Sequence, residues 1–187
     1  MTLDDIKFNQ DLPGYTTIHE AKTIIEIISS IDCSSILEAG AFTGKLTWSL
    51  CKTFPDKQIT ALDLFNGHCF VDRIGPYHTT TERDPRYLNQ TNTIEFFNKL
   101  QSENLNLNLT SIMGDFLNYT SYHDVIILSV DLFDINWSNI FDHALSLNPK
   151  IIICRHKWPH RNDVINSLNN YDHTNYDFGI YVLHKKL

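Results

Sequence analysis

Glu38, Gly40, Gly44 and Asp63 are the residues of this chain whose types and spacing could do chemistry. Ser35-Ile36-Leu37-Glu38-Ala39-Gly40-Ala41-Phe42-Thr43-Gly44-Lys45-Leu46-Thr47 reads as a buried strand, a glycine turn and a helix start. Ile59-Thr60-Ala61-Leu62-Asp63 reads as a second strand ending in a carboxylate. Gly40 and Gly44 allow a tight turn and close backbone approach to a ligand. Asp63 follows Gly40 at close to the ~20-residue offset at which a second-strand acid meets ribose hydroxyls in doubly wound folds. A ligand containing ribose is therefore expected. A dinucleotide fingerprint also needs a glycine two residues after the first, so that pyrophosphate can lie on bare backbone at a helix N-terminus. Phe42 occupies that position, and Gly44-Lys45-Leu46 lacks the hydroxyl of a phosphate-binding P-loop. Ribose without phosphate fits better.

These residues resemble the first motif of the class I S-adenosylmethionine-dependent methyltransferases, most closely their small O-methyltransferase branches. The likeness runs from Gly14 to Lys186, with the first motif its sharp part. It implies an α/β, single-domain Rossmann-like methyltransferase fold over residues 1–187. Its sheet would be mostly parallel and seven-stranded, with an antiparallel C-terminal strand and helices on both faces. It also implies S-adenosyl-L-methionine as cofactor. Glu38, Gly40 and Gly44, with Ala41, Phe42 and Thr43 between them, would surround the methionine part, and Asp63 beside Leu64 would take the ribose diol. Ile112-Met113-Gly114-Asp115-Phe116 is similar to the family's third strand and the Gly-Asp after it, which would put Asp115, flanked by Gly114 and Phe116, near the adenine amino group. Asp124-Val125-Ile126-Ile127-Leu128-Ser129-Val130-Asp131 resembles the fourth strand, whose end, at Ser129, would face the transferred methyl group.

The elements that must hold these residues follow from apolar runs alternating with helix-like segments, the pattern of a parallel sheet covered on both faces. Strands are expected at Ser35 to Glu38, Gln58 to Leu62, Leu107 to Met113, Val125 to Val130 and Lys150 to Cys154. Helices are expected at Ile18 to Ser30, Leu46 to Thr53, Thr91 to Glu103, Trp137 to Leu147 and Asn162 to Asn169. Phe178 to His184 reads as a final strand, which the resemblance places antiparallel beside Tyr171 to Tyr176. The connection from Asn66 to Gln90 exceeds the ~12–15 residues beyond which a loop in a compact domain is functional or disordered. Its aromatics and cations read as a lid or substrate wall, with Arg73, Tyr77, Arg83 and Arg86 as acceptor-binding candidates because guanidinium forks match carboxylate or phosphate.

Methyl transfer from a sulfonium is an in-line displacement, so the protein aligns the acceptor, excludes water and removes a proton when oxygen is the target. His156 is the candidate base, directly after the fifth strand at the sheet edge where ligands bind; its plainer role is a hydrogen bond to a loop carbonyl. Asp131 is the second candidate, for positioning or as base, and Lys157 would stabilise developing negative charge. Relatives with this motif often hold a divalent metal through an aspartate ending the fourth strand and an acid or amide after the fifth. Here Ser129 stands at the first place and Arg155-His156-Lys157-Trp158 at the second. Hard cations want oxygen ligands, so no metal is expected, with Asp131 and Asp134 the remaining acids of that region.

The 187 residues are 42% hydrophobic and 20% charged, as in one soluble globular domain. A net charge of −7 and a pI near 5.6 give no general attraction to phosphate backbones, so nucleic acid is not the expected partner and a small molecule or carbohydrate is. The N-terminus lacks a secretory pattern and no apolar run reaches the ~18 residues of a membrane span, which together point to the cytoplasm. Cys33, Cys51, Cys69 and Cys154 have no CxxC spacing and read as reduced thiols. Homo-oligomerisation stays open. So do two other functions: a catalytically silent protein that binds S-adenosylmethionine or S-adenosylhomocysteine as sensor or partner, and an NAD-dependent oxidoreductase, which would explain Asp63 but not Phe42.

Overall fold

Five apolar runs become parallel strands: Ser35–Ala39 (β1), Gln58–Asp63 (β2), Leu109–Met113 (β3), Val125–Leu128 (β4) and Ile151–Cys154 (β5). A computed structural model describes residues 6–12, 14, 16–63, 98, 102, 108–129, 137–155 and 170–186. Tyr171–Asn175 (β6) and Tyr181–Lys185 (β7) complete the sheet, with β7 antiparallel to both β5 and β6. The strand order is β3-β2-β1-β4-β5-β7-β6 in one seven-stranded sheet. The order reverses between β1 and β4, the switch point outside whose carboxyl ends open α/β sheets bind ligands.

Alternation along the strands decides which helix each side chain meets. Ile36, Val125, Ile127, Ile151 and Ile153 pack in one core with helices Ile18–Ser29 (α1) and Lys45–Thr53 (α2). Leu37, Ala39, Ile126, Leu128 and Ile152 pack in a second core with Phe141 and Ala144 of helix Trp137–Ser146 (α3). Every residue of β4 and β5 is buried, as a strand covered on both faces requires. Each of their aliphatic side chains stabilises the fold by roughly 1.5–3 kcal/mol.

Local polar chemistry fixes the ends. Thr17 Oγ1 accepts from Glu20 N at 3.2 Å and Glu20 Oε2 accepts from Thr17 N at 2.9 Å, a capping box that starts α1. At the rim where the strands begin, Asp124 accepts from Ser34 N at 2.7 Å, Ser34 Oγ at 2.9 Å, Ser35 N at 3.3 Å and Tyr122 Oη at 2.9 Å. Lys150 Nζ lies 3.1 Å from the same carboxylate. Burial alone would push the Asp124 carboxyl up, but these donors together win and hold it well below the usual carboxylate range.

Several boundaries differ from the sequence-based expectation. Asn108 is not in β3 but in the turn before it, where its amide donates to Phe54 O at 3.0 Å and Lys57 O at 2.8 Å. β4 ends at Leu128, which leaves Ser129 just beyond the strand. The final strand does not begin at Phe178: Phe178 (φ 62°) and Gly179 (φ 74°) turn left-handed in the short helical turn Asp177–Gly179, and such backbone cannot continue a pleat. Asn98 and Ser102 are helical, as expected, whereas the rest of 91–103, the helix at 162–169 and the loop at 66–90 lie outside the described residues. Cys33, Cys51 and Cys154 are free and buried, and Cys69 lies outside the described residues. Among the described residues no helix is long and apolar enough to cross a membrane.

Candidate functional site

Where β1 and β2 end, backbone atoms build a cup. Gly40 N and Ala41 N both donate to Leu62 O, at 2.8 and 3.3 Å, Gly44 N donates to Ala41 O at 2.8 Å, and Trp48 N donates to Gly44 O at 2.7 Å to open α2. Gly40 (φ 87°) and Gly44 (φ 81°) take left-handed backbone, which is why glycine stands at both places. Phe42 takes φ 53° despite its side chain, a conformation that costs about 1–2 kcal/mol. Asp63 Oδ2 accepts from Phe42 N at 2.8 Å and offsets that cost with a charge-assisted hydrogen bond. The turn and the second-strand acid, paired on spacing alone, are thus in contact. Asp63 is half-buried, so its carboxylate stands at the lip of the cup rather than under it.

The adjoining segment is tied to the same acid. Gly114 N donates to Asp63 O at 3.0 Å. Asp115 is exposed, and its Oδ1 accepts from Leu117 N at 3.0 Å, capping the short helical turn Phe116–Asn118. Phe116 is buried in the α3 core, edge-on to His143 with ring centroids 5.1 Å apart. Ala41 and Thr43 are buried beneath the turn.

Under the cup lies a buried polar chain. Glu38 is 1% exposed. Thr47 Oγ1 donates to its Oε2 at 2.6 Å and Ser129 Oγ donates to its Oε1 at 3.3 Å. Arg155 Nη1 donates to that Ser129 hydroxyl at 3.1 Å, and Arg155 Nη2 stands 3.5 Å from Glu20 Oε1. Burial pushes the Glu38 carboxyl up to about 7, against the opposing pulls of Thr47, Arg155 and Ser129. One chain of contacts therefore joins α1, β5, β4, β1 and α2 below the turn.

Thr47, Glu20 and Arg155 escaped the sequence reading as members of this site. Thr17-Ile18-His19-Glu20 carries the capping-box pattern and signals the helix start, but not the arginine that Glu20 also meets. A charged residue directly after a fully apolar strand signals that Arg155 needs a buried partner; which partner depends on tertiary placement. Leu64, Arg73, Tyr77, Arg83, Arg86, Asp131, Asp134, His156 and Lys157 lie outside the described residues. Among the described residues no group of three or more His, Cys, Asp or Glu is placed to hold a metal ion.

No protein-family model matches the chain, and no curated protein matches it by sequence. Solved structures do match its fold. A methyltransferase from Geobacter sulfurreducens is 11% identical with TM-score 0.65, over 91% of this chain and 79% of that one. Magnesium protoporphyrin IX methyltransferase (ChlM) from Synechocystis PCC 6803, with bound SAM, is 13% identical with TM-score 0.60, over 88% of this chain and 76% of that one. The SAH-bound Podospora anserina methyltransferase PaMTH1 is 12% identical with TM-score 0.60, over 92% of this chain and 80% of that one. At such identities the likeness is one of architecture: the chain has the Rossmann-like methyltransferase fold.

Proposed function

We propose that this chain binds S-adenosylmethionine at the cup and transfers its methyl group to a hydroxyl of a small molecule or carbohydrate, without a catalytic metal. The observation that carries the reading is the closed turn at the switch point, where Phe42 N is held by Asp63 Oδ2 at 2.8 Å. Phe42 fills the place that a pyrophosphate would need, while the half-buried Asp63 offers carboxylate oxygen to a ribose diol. Gly40 and Gly44 bring bare backbone to the sheet edge beside the buried Glu38 carboxyl. Those groups suit a nucleoside with a cationic amino-acid tail. ChlM, with bound SAM, and PaMTH1, with bound SAH, share the fold and support the choice of cofactor.

Bound there, the cofactor supplies a methyl on a sulfonium that is displaced in line. The chain must align an acceptor hydroxyl, keep water out and take up a proton. His156 and Asp131 are the residues proposed for the proton, since in the sequence they come two and three positions after Cys154 and Leu128, the carboxyl ends of β5 and β4. Lys157 would stabilise the developing oxyanion, and Arg73, Tyr77, Arg83 and Arg86 would line the acceptor wall. Metal independence is supported by Ser129: past the end of β4 it presents a neutral hydroxyl already engaged with Glu38 at 3.3 Å and Arg155 at 3.1 Å, where a hard divalent ion would want carboxylate oxygen.

Calorimetry with S-adenosylmethionine, S-adenosylhomocysteine and NAD tests the assignment. Binding of the first two and not of NAD is expected. Preference for NAD would turn the reading to hydride transfer, and binding without methylation across a panel of hydroxyl acceptors would leave a sensor or partner protein.

A further inference from the structure

The charges beneath the cup do not pair one to one. Arg155 and Glu20 stand 3.5 Å apart with side chains 6% and 8% exposed, so that guanidinium already has its carboxylate. Among the described residues Glu38 meets no cation directly; its oxygens take hydrogens from two neutral hydroxyls, Thr47 at 2.6 Å and Ser129 at 3.3 Å. The Ser129 hydroxyl in turn accepts from Arg155 Nη1 at 3.1 Å, so the donor aimed at Glu38 is polarised by a guanidinium. Among the described residues the further charge acting on Glu38 is Asp63 of β2, which opposes ionisation, while Glu38 itself adds to the burial that pushes the Cys51 thiol of α2 up to about 12. Among the described residues two carboxyl groups and one guanidinium share this buried floor, and Glu38 is the carboxyl without a cation in direct contact.

We propose, on the premise that the cup takes the cationic cofactor argued above, that Arg155 is a positioning residue which acts through Ser129 to favour the ionised form of Glu38, and that cofactor binding is coupled to loss of the Glu38 proton. Burial lifts the Glu38 carboxyl to about 7, while Arg155 and Ser129 pull it back toward ionisation. A cationic group brought beside it favours the charged form, and by reciprocity the charged form favours the cation. When only ionised Glu38 is competent, apparent affinity falls about tenfold per pH unit below its midpoint. The proton released passes to the buffer.

Two measurements test this. The first needs no ligand: carbon-13 NMR titration of the glutamate carboxyls, with Glu38→Gln assigning the resonance. The Glu38 midpoint is expected close to neutrality in the wild type and about one unit or more higher when the pair is removed as a unit by Glu20→Gln with Arg155→Met, a variant that strands no buried charge. Ser129→Ala, which leaves the ion pair in place, should also raise the midpoint, and combining it with the pair removal should add less than the sum, because the two act along one path. Arg155→Lys, which keeps the charge, should stay nearer the wild type. A wild-type midpoint in the pair-removed protein overturns the role of Arg155. The second is calorimetry with S-adenosylmethionine near pH ~7 in two buffers of different protonation heat. About half a proton released by the wild type and none by Glu38→Gln is expected. Binding by the wild type with no proton released overturns the coupling. Absence of binding at every pH removes the cofactor assignment and the coupling with it, whereas the ligand-free titration decides the role of Arg155 on its own.

Discussion

Glu38→Gln should make the folded chain more stable above neutral pH. The Glu38 carboxyl is raised from an ordinary 4.5 to about 7, and burial is the leading cause. Between those values the folded chain holds a proton that the unfolded chain has released, so stability is full below about pH 4.5 and declines as pH rises through about 7. The difference of about 2.5 units (7 − 4.5), at about 1.4 kcal/mol per unit, makes ionisation of Glu38 in place cost about 3 kcal/mol. Gln keeps the shape, can still accept from Thr47, and does not ionise. Urea unfolding of both proteins near pH ~5 and pH ~8 isolates this effect, because every other titrating group and any constant packing offset cancel in the difference. Between the two pH values the balance should move by about 2–3 kcal/mol toward the variant, the first part of the loss falling below pH ~5, which corresponds to roughly 4–12 °C in Tm for a chain of this size. Parallel pH profiles for the two proteins would refute the reasoning, since they would mean that Glu38 does not change charge across the window.

Other outcomes follow from the same geometry. Asp63→Ala removes both the anchor of Phe42 and the acid offered to ribose, and should weaken S-adenosylmethionine binding by about ten- to a hundredfold in calorimetry, the effect of losing a hydrogen bond to a charged group. Asp124→Ala leaves the Ser34 and Ser35 amides and Lys150 without their carboxylate and should cost roughly 2–4 kcal/mol in urea unfolding. Because the Asp124 carboxyl is held low in the fold, its contribution is complete above about pH 4 and lost as pH falls further, so wild type and variant should converge in acid. Methyl transfer should survive chelation by EDTA and gain nothing from added magnesium, as product formation would report; a severalfold response to either would contradict metal independence.

The sheet was legible because its chemistry is local and periodic. Val125–Leu128 and Ile151–Cys154 are apolar at every position, and a strand covered on both faces needs that pattern and little else. Gly40, Gly44 and Asp63 were legible because the turn demands left-handed backbone and the acid lies at a fixed offset along the chain. The Glu20–Arg155–Ser129–Glu38 chain was not: its members come from α1, the residues just past β5 and β4, and β1, and a strand order that departs from chain order brings them together. Phe178 misled for the opposite reason. Its apolar alternation with Ile180 and Val182 fits a strand, yet left-handed backbone at Phe178 and Gly179 delays β7 to Tyr181. Periodicity reports which face a side chain prefers, not whether the backbone is free to continue.

The Asp124 knot lies at the opposite rim of the sheet from the cup, yet it sets what the cup can be. By binding Ser34, Ser35 and Lys150 it fixes the starting points of three neighbouring strands relative to one another. Side chains alternate with every step, so a slip of one residue between β1 and β4 would turn Ser129 away from Glu38. Residues far from any ligand thus serve as the ruler for those that would touch it. A substitution among them can spoil recognition while every pocket residue is intact, and a loss of binding here is informative about the pocket only after strand alignment has been checked.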